Sequence, residues 1–206
     1  MSLGKESKCG PVRRIVLTGF MGSGKSTVGP MVAERLGWAF VDADDVIVAE
    51  TGMAIADFFA RHGEAAFRER ERETIARLVH EDGLVLALGG GAIEDAGTRE
   101  LLLAGVGNLL VHLEVSLETA RMRCGGTEHT RPVLADEARL AARYTKRLPL
   151  YREAHSTVVV DELTPEQVAD AVHRAAAGNG LQFAGTPGLT RAMLHIRKPG
   201  WPLRSD

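Results

Sequence analysis

The sequence predicts an α/β protein in which helices cover both faces of a five-stranded parallel sheet. Short apolar runs alternate with amphipathic segments along the 206 residues, the pattern of strands and helices in such a three-layer fold. A glycine-rich loop lies directly between the first apolar run and the first helical pattern. The Thr164-Pro165 pair is typical of a helix start, with threonine as the cap and proline in the first turn.

The predicted elements follow one another with short connections. Five apolar runs are predicted to be strands, at 12–18, 38–42, 84–88, 107–113 and 156–160. Helical spacing fills the intervals, at 25–36, 44–51, 54–61, 64–81, 95–104, 116–123, 136–148 and 164–177. Glycine and proline become frequent from Gly178 onward. We therefore expect one domain over residues 12–177, an N-terminal extension at 1–11 and an irregular tail at 178–206.

Composition limits the classes of partner. With 25 Lys+Arg against 27 Asp+Glu, the net charge of -2 gives no electrostatic reason to expect nucleic acid. No apolar run is long enough for a membrane helix, and the first residues lack the apolar core of a signal peptide. The two cysteines, Cys9 and Cys124, lack metal-ligand spacing and are typical of reduced thiols. We expect a cytoplasmic monomer that acts on small molecules.

The loop at residues 19–26 reads Gly-Phe-Met-Gly-Ser-Gly-Lys-Ser and matches the phosphate-binding loop of proteins that bind nucleoside triphosphates. Its glycines allow backbone N–H groups to turn toward phosphate, and the following helix adds its positive dipole end. Lys25 is expected to reach the β- and γ-phosphates, and the Ser26 hydroxyl to ligate Mg²⁺. A chance glycine turn is the alternative, but the strand before the loop and the helix after it favour the motif.

Three carboxylates, Asp42, Asp44 and Asp45, lie at the end of the second predicted strand. Because ligands bind outside the carboxyl ends of strands in such sheets, Asp42 and Asp44 are expected to face the same crevice as the phosphate-binding loop. Asp42 is placed to hold the Mg²⁺ water shell near Ser26, and Asp44 to accept a proton from an attacking hydroxyl. Alternatively, Asp44 or Asp45 only caps the next helix.

Three consecutive glycines, 89–91, follow the third predicted strand. They indicate either a close approach of the backbone to a ligand or a flexible turn, and their place at the end of a buried strand favours the ligand. The alternating charges at 67–73 are interpreted mainly as ion pairs on a solvated helix face.

Six segments together resemble the shikimate kinases over residues 12–177. They are Gly-Phe-Met-Gly-Ser-Gly-Lys-Ser-Thr at 19–27, Val-Asp-Ala-Asp at 41–44, Ala-Ala-Phe-Arg at 65–68, Leu-Gly-Gly-Gly-Ala at 88–92, Thr-Arg-Pro-Val-Leu at 130–134 and Arg-Leu-Pro-Leu-Tyr at 147–151. The resemblance implies a P-loop kinase fold like that of the nucleoside-monophosphate kinases, with a mobile lid. It also implies Mg²⁺-dependent transfer of the ATP γ-phosphoryl group to the 3-hydroxyl of shikimate, in aromatic amino-acid biosynthesis.

The resemblance assigns roles to residues of this chain. The implied catalytic residues are Asp44 as base, Lys25 and Arg131. Shikimate is implied to contact Asp44, Arg68, Gly90, Gly91 and Arg147. ATP is implied to contact Gly22, Ser23, Gly24, Lys25, Ser26, Thr27 and Arg131, and Mg²⁺ to contact Ser26 and Asp42. The two arginines suit the substrate carboxylate, since guanidinium binds it in bidentate fashion, and Glu71 is expected to hold Arg68 in position.

Segment 124–135 resembles the family's lid, and Arg131 is expected to close over the γ-phosphate. Either Arg121 or Arg123 is implied to stack on adenine, with the loop 161–165 on its other side. His129 is an alternative base, disfavoured because an exposed loop histidine is usually only solvated and Asp44 already fills that role.

Two rival functions remain from the sequence. A gluconate kinase of the same fold would share the phosphate-binding loop but would not need the arginine pair at 68 and 147. A noncatalytic binding module of the same fold is disfavoured, because the chain retains the full set Lys25, Ser26, Asp42, Asp44 and Arg131.

Overall fold

The computed structural model describes residues 11–125 and 136–180. Within them, five strands form one parallel sheet in the order β2-β3-β1-β4-β5. The strands are β1 Arg14–Thr18, β2 Ala39–Asp42, β3 Leu84–Ala87, β4 Asn108–Glu114 and β5 Ser156–Val159. The predicted five-stranded parallel sheet is confirmed.

Seven helices connect or follow the strands in the described part of the chain. They are α1 Lys25–Leu36, α2 Ala43–Thr51, α3 Ile55–Leu78, α4 Ala96–Ala104, α5 Leu117–Cys124, α6 Glu137–Tyr151 and α7 Pro165–Gly178, with a short 3₁₀ helix at Ala92–Glu94. The chain runs one way along the sheet from β1 to β2 and the other way from β2 to β5. Because crossovers between parallel strands are right-handed, α1 lies on one face and α3, α4 and α6 lie on the other.

The core lies in the centre of the sheet. All five residues of β1 and all four of β3 are buried, in keeping with the continuous apolar run of β3 and the apolar centre of β1 between Arg14 and Thr18. Helices α1 and α7 pack together on one face. No helix in the two described ranges combines the length and apolarity needed to cross a membrane.

Most element boundaries differ from the predicted ones by one to three residues, and four differences are informative. The helices predicted at 54–61 and 64–81 run together as α3, broken only at Gly63 (φ 80°, ψ 171°). Helix α2 begins at Ala43, because the side chain of Asp42 caps it. Helix α6 continues through Pro149 to Tyr151, whose buried side chain is anchored by a hydrogen bond beyond the predicted end. The 3₁₀ helix at Ala92–Glu94, which carries part of the site, was not predicted.

The predicted cap of the last helix is confirmed, since the Thr164 hydroxyl accepts the Gln167 N–H at 3.3 Å in a reciprocal capping box. Residues 1–10, 126–135 and 181–206 lie outside the described part of the chain. Most of the predicted N-terminal extension, lid and tail therefore falls there.

Candidate active site

The three segments singled out in the sequence lie at one edge of the sheet. The phosphate-binding loop follows β1, the aspartates follow or end β2, and the triple glycine follows β3. These strands are neighbours in the order β2-β3-β1, and their carboxyl ends point the same way. The topology thus places all three segments around one crevice, as expected for the ligand side of an α/β sheet.

The phosphate-binding loop has a backbone that requires glycine. Gly22 and Gly24 have φ of 75° and 91°, a region that residues with a Cβ rarely adopt. The Lys25 ammonium donates to the carbonyl of Gly19 at 2.7 Å and to that of Phe20 at 3.2 Å, which holds its charge against the loop. Helix α1 begins at Lys25, so its N-terminus also faces this loop. The arrangement suits an anionic phosphate chain.

A hydroxyl and a carboxylate meet beside the loop. The Ser26 Oγ donates to Asp42 Oδ2 at 2.8 Å, and the other oxygen, Oδ1, accepts the Asp44 N–H at 3.1 Å. Asp42, rather than Asp44 or Asp45, is therefore the cap of α2. Two oxygen ligands at this spacing fit Mg²⁺, which takes few protein ligands and completes its shell with water and phosphate. In the described ranges, no group of three or more His, Cys, Asp or Glu forms a larger metal site.

Each of the three glycines faces a charged or polar side chain of the site. A Cβ on Gly89 would lie 2.7 Å from Asp44 Oδ1 and 2.8 Å from Glu71 Oε1. A Cβ on Gly91 would lie 2.4 Å from Arg68 Nη2, and one on Gly90 would lie 3.7 Å from Arg147 Nη1. The triple glycine is therefore the surface around which these side chains gather.

Arg68 is held by an ion pair within α3. Its Nη1 lies 2.6 Å from Oε2 of Glu71, whose side chain is only 3% exposed, and its Nη2 lies 3.3 Å from Glu64. Burial raises the pKa of Glu71, while the positive charge of Arg68 opposes that shift. Of the alternating charges at 67–73, this pair belongs to the site, whereas Arg70 and Glu73 form the exposed pair that the sequence pattern predicted.

Asp44 is a half-buried carboxyl among charges of both signs. Burial, together with the neighbouring carboxylates of Asp42 and Glu71, raises its pKa to about 7. The positive charges of Lys25 and Arg68 partly offset that rise. The pKa of Asp44 thus lies close to neutral pH, where a carboxyl can exchange a proton with a substrate hydroxyl.

Arg147 projects from α6 toward Gly90 of the triple glycine. It is 7% exposed, and both its Nε and its Nη2 lie 2.7 Å from Oε1 of Glu94. The Tyr151 hydroxyl, one turn further on, donates to the Gly90 carbonyl at 2.6 Å. This bond ties the end of α6 to the triple glycine. The sequence prediction included Arg147 but missed Glu94, which no local pattern marks.

A buried histidine supports this end of the site. His112 on β4 is 1% exposed and stacks on the Tyr151 ring, with ring centroids 5.1 Å apart. Burial lowers its pKa to about 4, with help from Arg152 and Lys25 and against the pull of Glu114. Its Nδ1 and the Oγ1 of Thr18, its partner position on β1, are buried without a hydrogen bond among the described residues.

The two candidates for an adenine contact have different surroundings. Arg123 donates to the carbonyls of Gly22, at 3.3 Å, and Val160, at 2.9 Å. It thus spans from the phosphate-binding loop to the loop after β5. Arg121 instead pairs with Glu137 at the start of α6. Arg131 and His129 lie outside the described residues.

Comparisons with known proteins identify the family. The model of the family described as shikimate kinase matches residues 21–177. Shikimate kinase of Streptomyces avermitilis is 46% identical over 164 residues, 78% of this chain and 94% of the relative. That of Salinibacter ruber is 41% identical over 175 residues, 80% of this chain and 85% of the relative.

Solved structures agree with the sequence comparison. The shikimate kinase from Acinetobacter baumannii in complex with shikimate is similar with a TM-score of 0.76 and 36% identity, over 83% of this chain and 96% of that one. The shikimate kinase from Aquifex aeolicus is similar with a TM-score of 0.73 and 30% identity, over 82% of this chain and 98% of that one. The phosphate-binding loop and the side chains around the triple glycine agree with these matches. The chain therefore belongs to the shikimate kinase family.

Proposed function

We propose that this chain transfers the γ-phosphoryl group of ATP to the 3-hydroxyl of shikimate, giving shikimate 3-phosphate and ADP. The observation that carries the proposal is the set of Asp44, Arg68 and Arg147 around the triple glycine. This set lies at the same edge of the sheet as the phosphate-binding loop. Family membership supports the same reaction.

The charges of the site match the two ends of the substrate. Shikimate has one carboxylate and three hydroxyls. Arg68 and Arg147 lie around the triple glycine and are proposed to bind the carboxylate, since guanidinium forms charge-assisted, bidentate hydrogen bonds with it. Asp44 is near enough for the positive charge of Lys25 to lower its pKa, and it is proposed to accept hydrogen bonds from the hydroxyls.

The reaction follows from these positions. The 3-hydroxyl oxygen forms a bond to the γ-phosphorus, the bond from that phosphorus to the β-phosphate oxygen breaks, and Asp44 takes the hydroxyl proton. Lys25 neutralises charge on the β- and γ-phosphates, and Arg131 is proposed to do so on the transferring group. Ser26 and Asp42 would hold Mg²⁺, which when bound shields the phosphate charge.

The adenine contact is proposed for Arg123 rather than Arg121. Arg123 lies between the Gly22 carbonyl and the Val160 carbonyl, next to the loop 161–165, whereas Arg121 is engaged with Glu137. A guanidinium plane in that position can stack on a base. Gly22, Ser23, Gly24, Ser26 and Thr27 are the proposed contacts of the phosphates.

We further propose that residues 12–177 are sufficient for the reaction, and that the protein is a cytoplasmic monomer without nucleic-acid or membrane partners. All proposed site residues lie within that range. A chain ending at residue 178 should retain shikimate phosphorylation and elute as a monomer. A truncated chain that folds but lacks activity would show that the tail is needed for the reaction.

A coupled ADP-release assay tests the function. With Mg²⁺ and ATP present, shikimate should stimulate ADP release strongly, while gluconate and buffer alone should not. Omission of Mg²⁺ should abolish the stimulation. Arg147→Ala should weaken use of shikimate, while Arg139→Ala, an exposed arginine of the same helix, is the matched control. Equal turnover with gluconate, or none with shikimate, would reject the proposal.

A further inference from the structure

Glu94 occupies one edge of the Arg147 guanidinium. We infer that Glu94 is a positioning residue, which turns Arg147 so that the end of its guanidinium points at the substrate carboxylate. The inference rests on the proposed function, because it concerns the substrate-binding role of Arg147. It adds a residue from the 3₁₀ helix to the determinants of substrate affinity.

The geometry separates two edges of one guanidinium. Glu94 Oε1 lies 2.7 Å from both Nε and Nη2 of Arg147, so it holds the side edge of the group. The end edge, formed by Nη1 and the outer hydrogen of Nη2, is a second fork that can bind a carboxylate in bidentate fashion. Nη1 lies on the Gly90 side, 3.7 Å from the place of an added Cβ. One guanidinium can therefore hold Glu94 and the substrate carboxylate together.

Glu94 is itself fixed by the backbone around it. Its N–H donates to the Gly91 carbonyl at 2.9 Å, which joins it directly to the triple glycine. Arg99 Nη1 donates to the carbonyls of Ile93, at 2.8 Å, and Glu94, at 3.2 Å. These hydrogen bonds hold the backbone from which the Glu94 side chain extends.

The charge of the cluster still favours an anion. Lys146 Nζ lies 2.5 Å from the second oxygen of Glu94, so one carboxylate is shared by two cations. Lys146, Arg147 and Glu94 together keep one net positive charge. Hydrogen bonds from both cations outweigh burial and keep the pKa of Glu94 below its ordinary value, so the carboxylate stays ionised. Glu94 therefore orients Arg147 without cancelling the charge that attracts the substrate.

Arg68 has a comparable partner. Glu71 Oε2 lies 2.6 Å from Arg68 Nη1. The same guanidinium also faces Gly91 of the triple glycine. Glu71 follows Arg68 in the same helix, whereas Glu94 reaches Arg147 from another element. Both proposed carboxylate-binding arginines are thus paired with a glutamate, and Arg68 has a second, exposed one in Glu64, 3.3 Å from its Nη2.

Three substitutions of Glu94 distinguish the effect of its side-chain length from the effect of its charge. Loss of a charge-assisted hydrogen bond in Glu94→Ala should raise the KM for shikimate about tenfold, with kcat and the KM for ATP unchanged. Glu94→Gln keeps an oxygen at the same reach and should raise it by only about threefold. Glu94→Asp keeps the charge but withdraws the oxygen by one methylene, and should resemble the alanine variant. Arg139→Ala, which removes an exposed arginine of the same helix and leaves the Glu94 contact with Arg147 in place, is the matched control and should change KM least.

The dependence on Arg147 distinguishes positioning from a general structural effect. In an Arg147→Ala background, Glu94→Ala should raise KM no further, and thermal unfolding of the single variants should stay close to that of the parent. The inference is overturned if KM is unchanged or lowered in Glu94→Ala, if Glu94→Asp behaves as the parent, or if the two alanine effects add. Should Glu94→Ala not fold, the comparison of the Asp and Gln variants decides. A parent chain that does not phosphorylate shikimate rejects the proposed function itself, whereas an active parent with unchanged variants rejects only the role of Glu94.

Discussion

The buried histidine of β4 predicts a specific loss of stability in mild acid. His112 has an ordinary pKa of 6.5 and a folded-state pKa of about 4, chiefly because of burial. Between these values the unfolded chain binds a proton that the folded chain does not, so protonation favours unfolding. The contribution of His112 is fully present above pH 6.5 and is lost as the pH falls toward about 4.

The magnitude follows from the two pKa values. Each unit of pKa difference corresponds to about 1.4 kcal/mol, so the full effect is about 3 kcal/mol. Between about pH 7 and about pH 5, His112 alone should lower the free energy of unfolding by about 2 kcal/mol. Glu114, 3.6 Å from Nδ1, acts against this shift, and Lys25 and Arg152 act with it.

Urea unfolding followed by circular dichroism, at those two pH values, measures the effect. His112→Phe keeps an aromatic ring against Tyr151 but cannot take up a proton, and His112→Gln is a second neutral replacement. The parent should lose about 2 kcal/mol more than either variant between the two pH values, while the shared contributions of other groups cancel in the difference. Parallel losses in parent and variants would refute the reasoning, because His112 would then titrate alike in both states.

Three further predictions concern the reaction. Asp44→Asn should lower kcat by roughly two to four orders of magnitude with the KM for ATP nearly unchanged, and a near-normal kcat in steady-state assays would leave Asp44 only a structural role. Gly91→Ala should raise the KM for shikimate about tenfold, because its Cβ would lie 2.4 Å from Arg68 Nη2 and displace that group; an unchanged KM would contradict this, and Gly97→Ala is the control. Arg131→Ala should lower kcat far more than it weakens shikimate binding in titrations. The reverse pattern would show that this arginine does not act on the transferring phosphoryl group.

Local patterns in the sequence were sufficient to predict the sheet, most helices and the segments that form the crevice. Ser26 and Asp42 were expected to lie together because each lies at or after the carboxyl end of a strand of the same parallel sheet, and their side chains are 2.8 Å apart. The sequence suggested Asp44 or Asp45 as the alternative cap of α2, and the structure shows that Asp42 caps it instead.

Other features depend on contacts that no local pattern carries. Glu94 and Arg147 are 53 residues apart and meet only because the 3₁₀ helix and α6 pack together. Helical spacing predicted an end for α6 at residue 148, but the buried Tyr151 and its bond to Gly90 extend the helix past Pro149. His112 sits in an apolar strand, and its stacking on Tyr151 depends on the same packing.

The triple glycine has a consequence for how sequence variation in this chain should be interpreted. Among the described residues, positive φ values occur at other glycines but not at 89, 90 or 91, so an L-residue can adopt the backbone there. Gly89 and Gly91 exclude a side chain because the space is already taken by Asp44, Glu71 and Arg68, whereas a Cβ on Gly90 would make only ordinary contacts with Tyr151 and Arg147. A scan of all substitutions scored by growth alone would rank Gly89 and Gly91 with the catalytic residues, although neither supplies a reacting group. A parallel score for protein abundance would set them apart, since such variants should accumulate normally while failing to bind substrate.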